Sequence, residues 1–120
     1  MGKKILIVDD ALFMRKVIRN VLEESGYTDI TEAQDGKEAL LKYEEGRPDI
    51  ILLDITMPGM SGLEILEEIL RRNPDQKVVM CSAIGQEAMI QKAVDMGAAD
   101  FIVKPFEKEK LRKTVERYLQ

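Results

Sequence analysis

Histidine is absent from this sequence, cysteine occurs once, and aromatic residues make up only 5%. The missing histidine excludes Ser-His-Asp and Cys-His catalysis, His-ligated zinc and HExxH chemistry. The lone Cys81 excludes an intramolecular disulfide and points to a reducing, cytoplasmic setting. No apolar run approaches the ~20 residues of a membrane span, and the N-terminus lacks the apolar core of a signal peptide. Neither GxxxxGK(S/T) nor GxGxxG occurs, so the two common nucleotide-phosphate loops are missing. Basic runs are missing too: 18 Lys and Arg face 22 Asp and Glu, a net charge of −4. Such a chain is poorly suited to bind nucleic acid or an anionic membrane by itself.

What remains is 120 residues, 45% of them hydrophobic. That suffices for one domain, residues 1–120, with a proper core and no room for a second. Strand and helix signals alternate along it. Ile5-Leu6-Ile7-Val8 is an apolar, β-branched run, as expected of a strand buried on both faces. A helix follows with Phe13, Met14, Val17, Ile18, Val21 and Leu22 on one stripe, and Gly26 just past its end. Ile30 to Ala33 reads as a weaker edge strand. A helix opens at Asp35-Gly36, turns Ala39, Leu40 and Tyr43 inward and is closed by Gly46. Ile50 to Leu53 is another buried strand. Pro58, Gly59 and Gly62 lead into a helix carrying Leu63, Leu66, Ile69 and Leu70. Val78 to Met80 is a fourth strand, followed by a helix from Gln86 to Met96. Phe101 to Val103 is a fifth, followed by a helix from Glu107 to Leu119. Five strand–helix units in alternation predict an α/β fold with a parallel sheet covered by helices on both faces.

The polar residues collect where the strands end. Asp9-Asp10 follows the first strand, Asp54 the third, Ser82 the fourth and Lys104 the fifth. In an open α/β sheet the ligand crevice lies outside these carboxyl ends. If the first and third strands are neighbours, three carboxylates crowd one rim and at least one carboxyl pKa rises. A hard divalent cation such as Mg²⁺ relieves that crowding, because it takes oxygen ligands. Each residue alone has a plainer reading. An Asp at a strand end caps a helix, and a Lys there is a solvated charge. Their joint placement on one rim favours a shared site.

The order Asp9-Asp10, Asp54, Ser82, Lys104-Pro105 resembles the receiver domain of bacterial response regulators. The segments VDDALFMR, LLDITMPGMSGLEIL and CSAIGQEAMIQKAVDMGAADFIVKPF are similar to single-domain chemotaxis regulators of the CheY type, across essentially the whole chain. The resemblance implies a flavodoxin-like, doubly wound (βα)5 fold with strand order 2-1-3-4-5. It implies that Asp54 accepts a phosphoryl group. Asp10 and Asp54 would then ligate Mg²⁺ directly, with Mn²⁺ as a substitute. Asp9 would ligate directly or through water, and the backbone carbonyl of Thr56 would complete the protein ligands. Lys104 would pair with a phosphoryl oxygen, across a cis bond to Pro105. Ser82 and the aromatic Phe101 would act as switch residues. Many relatives carry Tyr where this chain has Phe101. Thr56 and Ile84 would flank the path of the hydrolytic water and tune the lifetime of the phosphorylated form. The plainer reading of Phe101 is packing, and that of Ile84 is the start of a helix.

The implied partners are a chemotaxis-type histidine kinase as donor, the flagellar motor switch protein as target and a dedicated phosphatase. A monomer without nucleic acid or membrane insertion is expected. The reading is of a signalling protein that catalyses only its own phosphorylation and dephosphorylation. Its alternative is a stand-alone receiver in a sporulation or transcription relay. An aspartate-nucleophile phosphatase needs a second Asp two residues after Asp54, where Thr56 stands. A flavin carrier needs a phosphate loop where Asp9 and Asp10 would repel the phosphate.

Overall fold

The computed structural model describes residues 2–119. Five strands and five helices alternate along them. They are β1 (Lys4–Val8), α1 (Leu12–Glu24), β2 (Asp29–Ala33), α2 (Gly36–Gly46) and β3 (Ile50–Asp54). Then come α3 (Gly62–Arg72), β4 (Lys77–Ala83), α4 (Glu87–Met96), β5 (Asp100–Lys104) and α5 (Lys108–Leu119). All strand pairs are parallel, in the order β2-β1-β3-β4-β5. The alternation implies the parallel sheet, and the resemblance implies this flavodoxin-like strand order.

The strands with unbroken apolar runs occupy the middle of the sheet because both of their faces are covered. Successive side chains point to opposite faces. Leu6, Val8, Ile51, Leu53, Val78 and Met80 therefore pack on one side with Ala39, Tyr43, Ile65, Leu66, Ile69 and Ile90 of α2, α3 and α4. Ile5, Ile7, Ile50, Leu52, Val79, Cys81 and Ile102 pack on the other with Ile18, Val21, Leu22, Leu111 and Val115 of α1 and α5. Each fully buried Leu or Ile contributes roughly 1.5–3 kcal/mol. The half-polar β2 lies at an edge, as its sequence predicts.

Several local expectations are corrected. Phe13 does not join the inner stripe of α1; it is 75% exposed. Leu12 beside it is exposed too, so the first turn of α1 lies open to solvent, and the buried stripe begins at Ile18. Gly46 does not form the left-handed stop of α2. It remains in the last turn, and Arg47 takes the positive φ of 48° immediately before Pro48. Strand β4 continues beyond Met80, because pairing with β5 carries it through Ser82 and Ala83. Ser82 is thus inside the strand, opposite Val103.

Candidate functional site

The chain turns both ways from β1: to β2 on one side and, through α2, to β3 on the other. The crevice opens at this reversal, at the carboxyl ends. Asp9 and Asp54 are buried there, while Asp10 is exposed. Carboxylate oxygens of Asp9, Asp10 and Asp54 lie within 4.8 Å of one another. Lys104, at the end of β5, reaches into the cluster. Its Nζ is 2.8 Å from Asp9 Oδ2 and 3.3 Å from Asp54 Oδ1. The other Asp9 oxygen, Oδ1, accepts the Ala11 N–H at 2.9 Å. The Asp9 carbonyl accepts a bond of 2.7 Å from Arg15, whose Nε is held 2.9 Å from Glu32 on β2. Both ends of Asp9 are therefore fixed. The bond between Lys104 and Pro105 is cis, as the resemblance implies.

One ammonium does not balance three carboxylates. Burial raises the Asp54 pKa above the usual carboxylate range, and the Asp9 charge adds to that. Lys104 and the Thr56 N–H act in the opposite sense and are outweighed. Burial alone would lower the Lys104 pKa, but its bond to Asp9 and the charges of Asp54 and Asp9 leave it raised. Both groups of one ion pair thus shift upward. Asp54 is the unusual one, since a carboxylate beside an ammonium normally shifts down. Its environment resists its charge chiefly through burial, with the Asp9 charge a smaller contribution. The neighbouring Cys81 thiol is pushed up to about 12 by burial and is inert.

The donor set consists of hard oxygens without nitrogen or sulfur, which suits an octahedral Mg²⁺ or Mn²⁺ and not a soft metal. Ser82 is completely buried, and its hydroxyl has no hydrogen-bond partner. A buried hydroxyl left unpaired costs roughly 1–3 kcal/mol. Its place on β4, next to β3 and β5, puts it on the same rim as Asp54 and Lys104.

Two residues named from the sequence lie to the side of this rim. Ile84 is 77% exposed and Phe101 is 40% exposed. With Ile90, Val94 and Val103 they line an apolar groove of about 400 Å³ between α4 and β5. Thr56 is exposed, and its hydroxyl accepts from the Gln86 amide. Gln86 and Arg15 were not apparent as site residues in the sequence. Gln86 reads only as the first residue of a helix and Arg15 as part of a polar helix face. Their contacts join segments far apart in the chain.

The response regulator receiver domain pattern matches residues 5–116. The chain belongs to that family. It is 50% identical over 114 residues to the chemotaxis protein CheY of Listeria monocytogenes, covering 95% of this chain and 96% of that one. It is likewise 50% identical over 107 residues to the CheY of Thermotoga maritima, covering 89% of each. The solved receiver domain of NtrX from Brucella abortus superposes with a TM-score of 0.93 at 35% identity, covering 97% of this chain and 98% of that one.

Proposed function

We propose that this protein is a phosphorylation-activated response regulator of chemotaxis that takes its phosphoryl group on Asp54. The observation that supports this best is the placing of Asp54: buried, raised in pKa, among two other carboxylates and 3.3 Å from an ammonium. With no histidine in the chain, the donor phosphohistidine belongs to a histidine kinase. A carboxylate oxygen of Asp54 attacks phosphorus as the P–N bond to the kinase imidazole breaks, leaving an aspartyl-phosphate. Water later cleaves it to phosphate and the free carboxylate. Asp10 and Asp54, with the Thr56 carbonyl, would hold Mg²⁺ or Mn²⁺. Asp9 would act through water, since both of its oxygens are engaged. The bound ion would neutralise charge on the transferring group.

Lys104 then exchanges Asp54 for a phosphoryl oxygen as a point charge. Ser82 donates its unpartnered hydroxyl to another. The group adds roughly −1.5 to −2 charges and strong acceptors, which biases two pre-existing arrangements. Phe101 carries the change to the face of α4, β5 and α5, where the flagellar motor switch protein docks. The missing hydroxyl leaves Phe101 a packing gate alone. Thr56 and Ile84 tune the lifetime, alongside a dedicated phosphatase. The protein works as a monomeric receiver in the cytoplasm. No described helix is long and apolar enough to cross a membrane.

Acetyl phosphate with Mg²⁺ should label the protein stoichiometrically with a base-labile adduct, and Asp54→Ala should abolish it. A labelled Asp54→Ala protein would refute the assignment.

A further inference from the structure

We propose that Gln86 is a positioning residue that clasps the loop after Asp54 to the end of β4 and holds the site at rest. The inference builds on the phosphoacceptor reading of Asp54 and adds to it the residue that opposes switching. Gln86 occupies the position immediately before α4, with φ −106° and ψ 28°, and makes no side-chain bond to the helix it precedes. Ser, Thr, Asp or Asn is favoured at such a position because its side chain satisfies a free N–H of the first turn. The Gln86 side chain reaches backward instead. Its Oε1 accepts the Ala83 N–H at 2.7 Å, and its Nε2 donates to the Thr56 hydroxyl. The Ala83 N–H can only donate, which fixes the orientation of the amide and leaves its NH₂ for Thr56.

The two tethered groups flank the proposed chemistry. Thr56 is two residues after Asp54, and Ala83 directly follows Ser82. One amide thus joins the acceptor loop to the strand that carries the switch hydroxyl. Gly85, one residue before Gln86, has a φ of +96°, where the chain bends freely for glycine alone. Drawing Ser82 toward a phosphoryl oxygen would carry the backbone from Ala83 to Gly85 with it, because Ala83 directly follows Ser82. That shift stretches the bond from Ala83 to Gln86. Breaking the clasp frees the Ala83 N–H as a donor and releases the Thr56 hydroxyl from the Gln86 amide. The unphosphorylated arrangement is therefore held by Gln86, and any ligand preferring the shifted loop must overcome it.

Calorimetric titration of beryllofluoride in the presence of Mg²⁺ tests this on wild type, Gln86→Ala, Gln86→Met, Thr56→Val and the Gln86→Ala/Thr56→Val pair. Both Gln86 variants should bind about three- to tenfold tighter than wild type, the scale of one neutral hydrogen bond. The double variant should gain less than the sum of its parts, because Gln86 and Thr56 share the bond. Unchanged or weaker binding in both Gln86 variants would overturn the clasp, as would strict additivity. A lower melting temperature without tighter binding would mark Gln86 as merely structural and would also overturn it. Failure of wild type to bind beryllofluoride would instead overturn the reading of Asp54.

Discussion

Asp54 lies against Lys104, yet burial and the Asp9 charge hold its carboxyl above the usual range. The folded protein therefore keeps this proton to a higher pH than the unfolded chain does. Folding loses stability as pH rises through that interval, and the cost is fully present at neutral pH. Asp54→Asn, which removes the charge and keeps the shape, should stabilise the protein at neutral pH and raise its Tm. The gain should shrink under acid conditions, where wild-type Asp54 carries its proton. Thermal melts of both proteins across pH would show it, and a destabilised Asn variant would contradict the sign. At this scale much of the site was legible in the sequence. Asp9, Asp54, Ser82 and Lys104 each interrupt or end an apolar run, and a polar residue there has no core to join. Gln86 and Arg15 were not legible, because their meaning lies in which loop or strand they touch.

Elements are fixed to the site by close approaches. The N-terminus of α3 passes directly over the end of β3, where the Gly62 N–H donates to the Ile55 carbonyl at 2.8 Å. A Cβ on Gly62 would meet the Asp54 carbonyl oxygen at 2.2 Å and the Ile55 Cα at 2.7 Å. Both obstacles are backbone, so neither can swing aside. Gly62→Ala should cost at least the 1–3 kcal/mol typical of overpacking and should lower phosphorylation together with stability. Chemical denaturation followed by acetyl phosphate labelling checks both, and a variant of unchanged stability would contradict the packing. Helix α3 also carries a capping box between Ser61 and Glu64, which anchors that same turn. In contrast, α1 begins after Ala11, which offers no side-chain cap, while the preceding acids face the crevice. Element identity was legible throughout from periodicity. Element length and facing were less so: β4 extends to Ala83 because β5 pairs with it, and Phe13 stands exposed in the first turn of α1, where no element covers it. Both outcomes depend on neighbours that a local pattern does not contain.

Across the whole molecule, the sheet separates two cores and brings five strand ends to one rim. β5 joins the rim to the α4–β5 groove, since Lys104 and Phe101 are three residues apart on one strand. The apolar groove is on the surface beside the site, and Ile84 and Phe101 stand exposed in it. A chemical change at Asp54 can therefore reach this groove along a single strand. Strand order is the feature the residues alone left open, since alternation fixes a parallel sheet but not which strand neighbours which. The family resemblance supplied it. The missing histidine also matters at this scale: no phosphohistidine can form within this sequence.

Amide chemical shifts of the wild-type protein, recorded by NMR with Mg²⁺ before and after beryllofluoride, test the central claim most directly. Changes should begin at Asp54, Ser82 and Lys104 and extend through Ala83 to Ile84, Val94 and Phe101. A spectrum that does not respond, or one whose changes stay confined to the loop around Asp54, would contradict it.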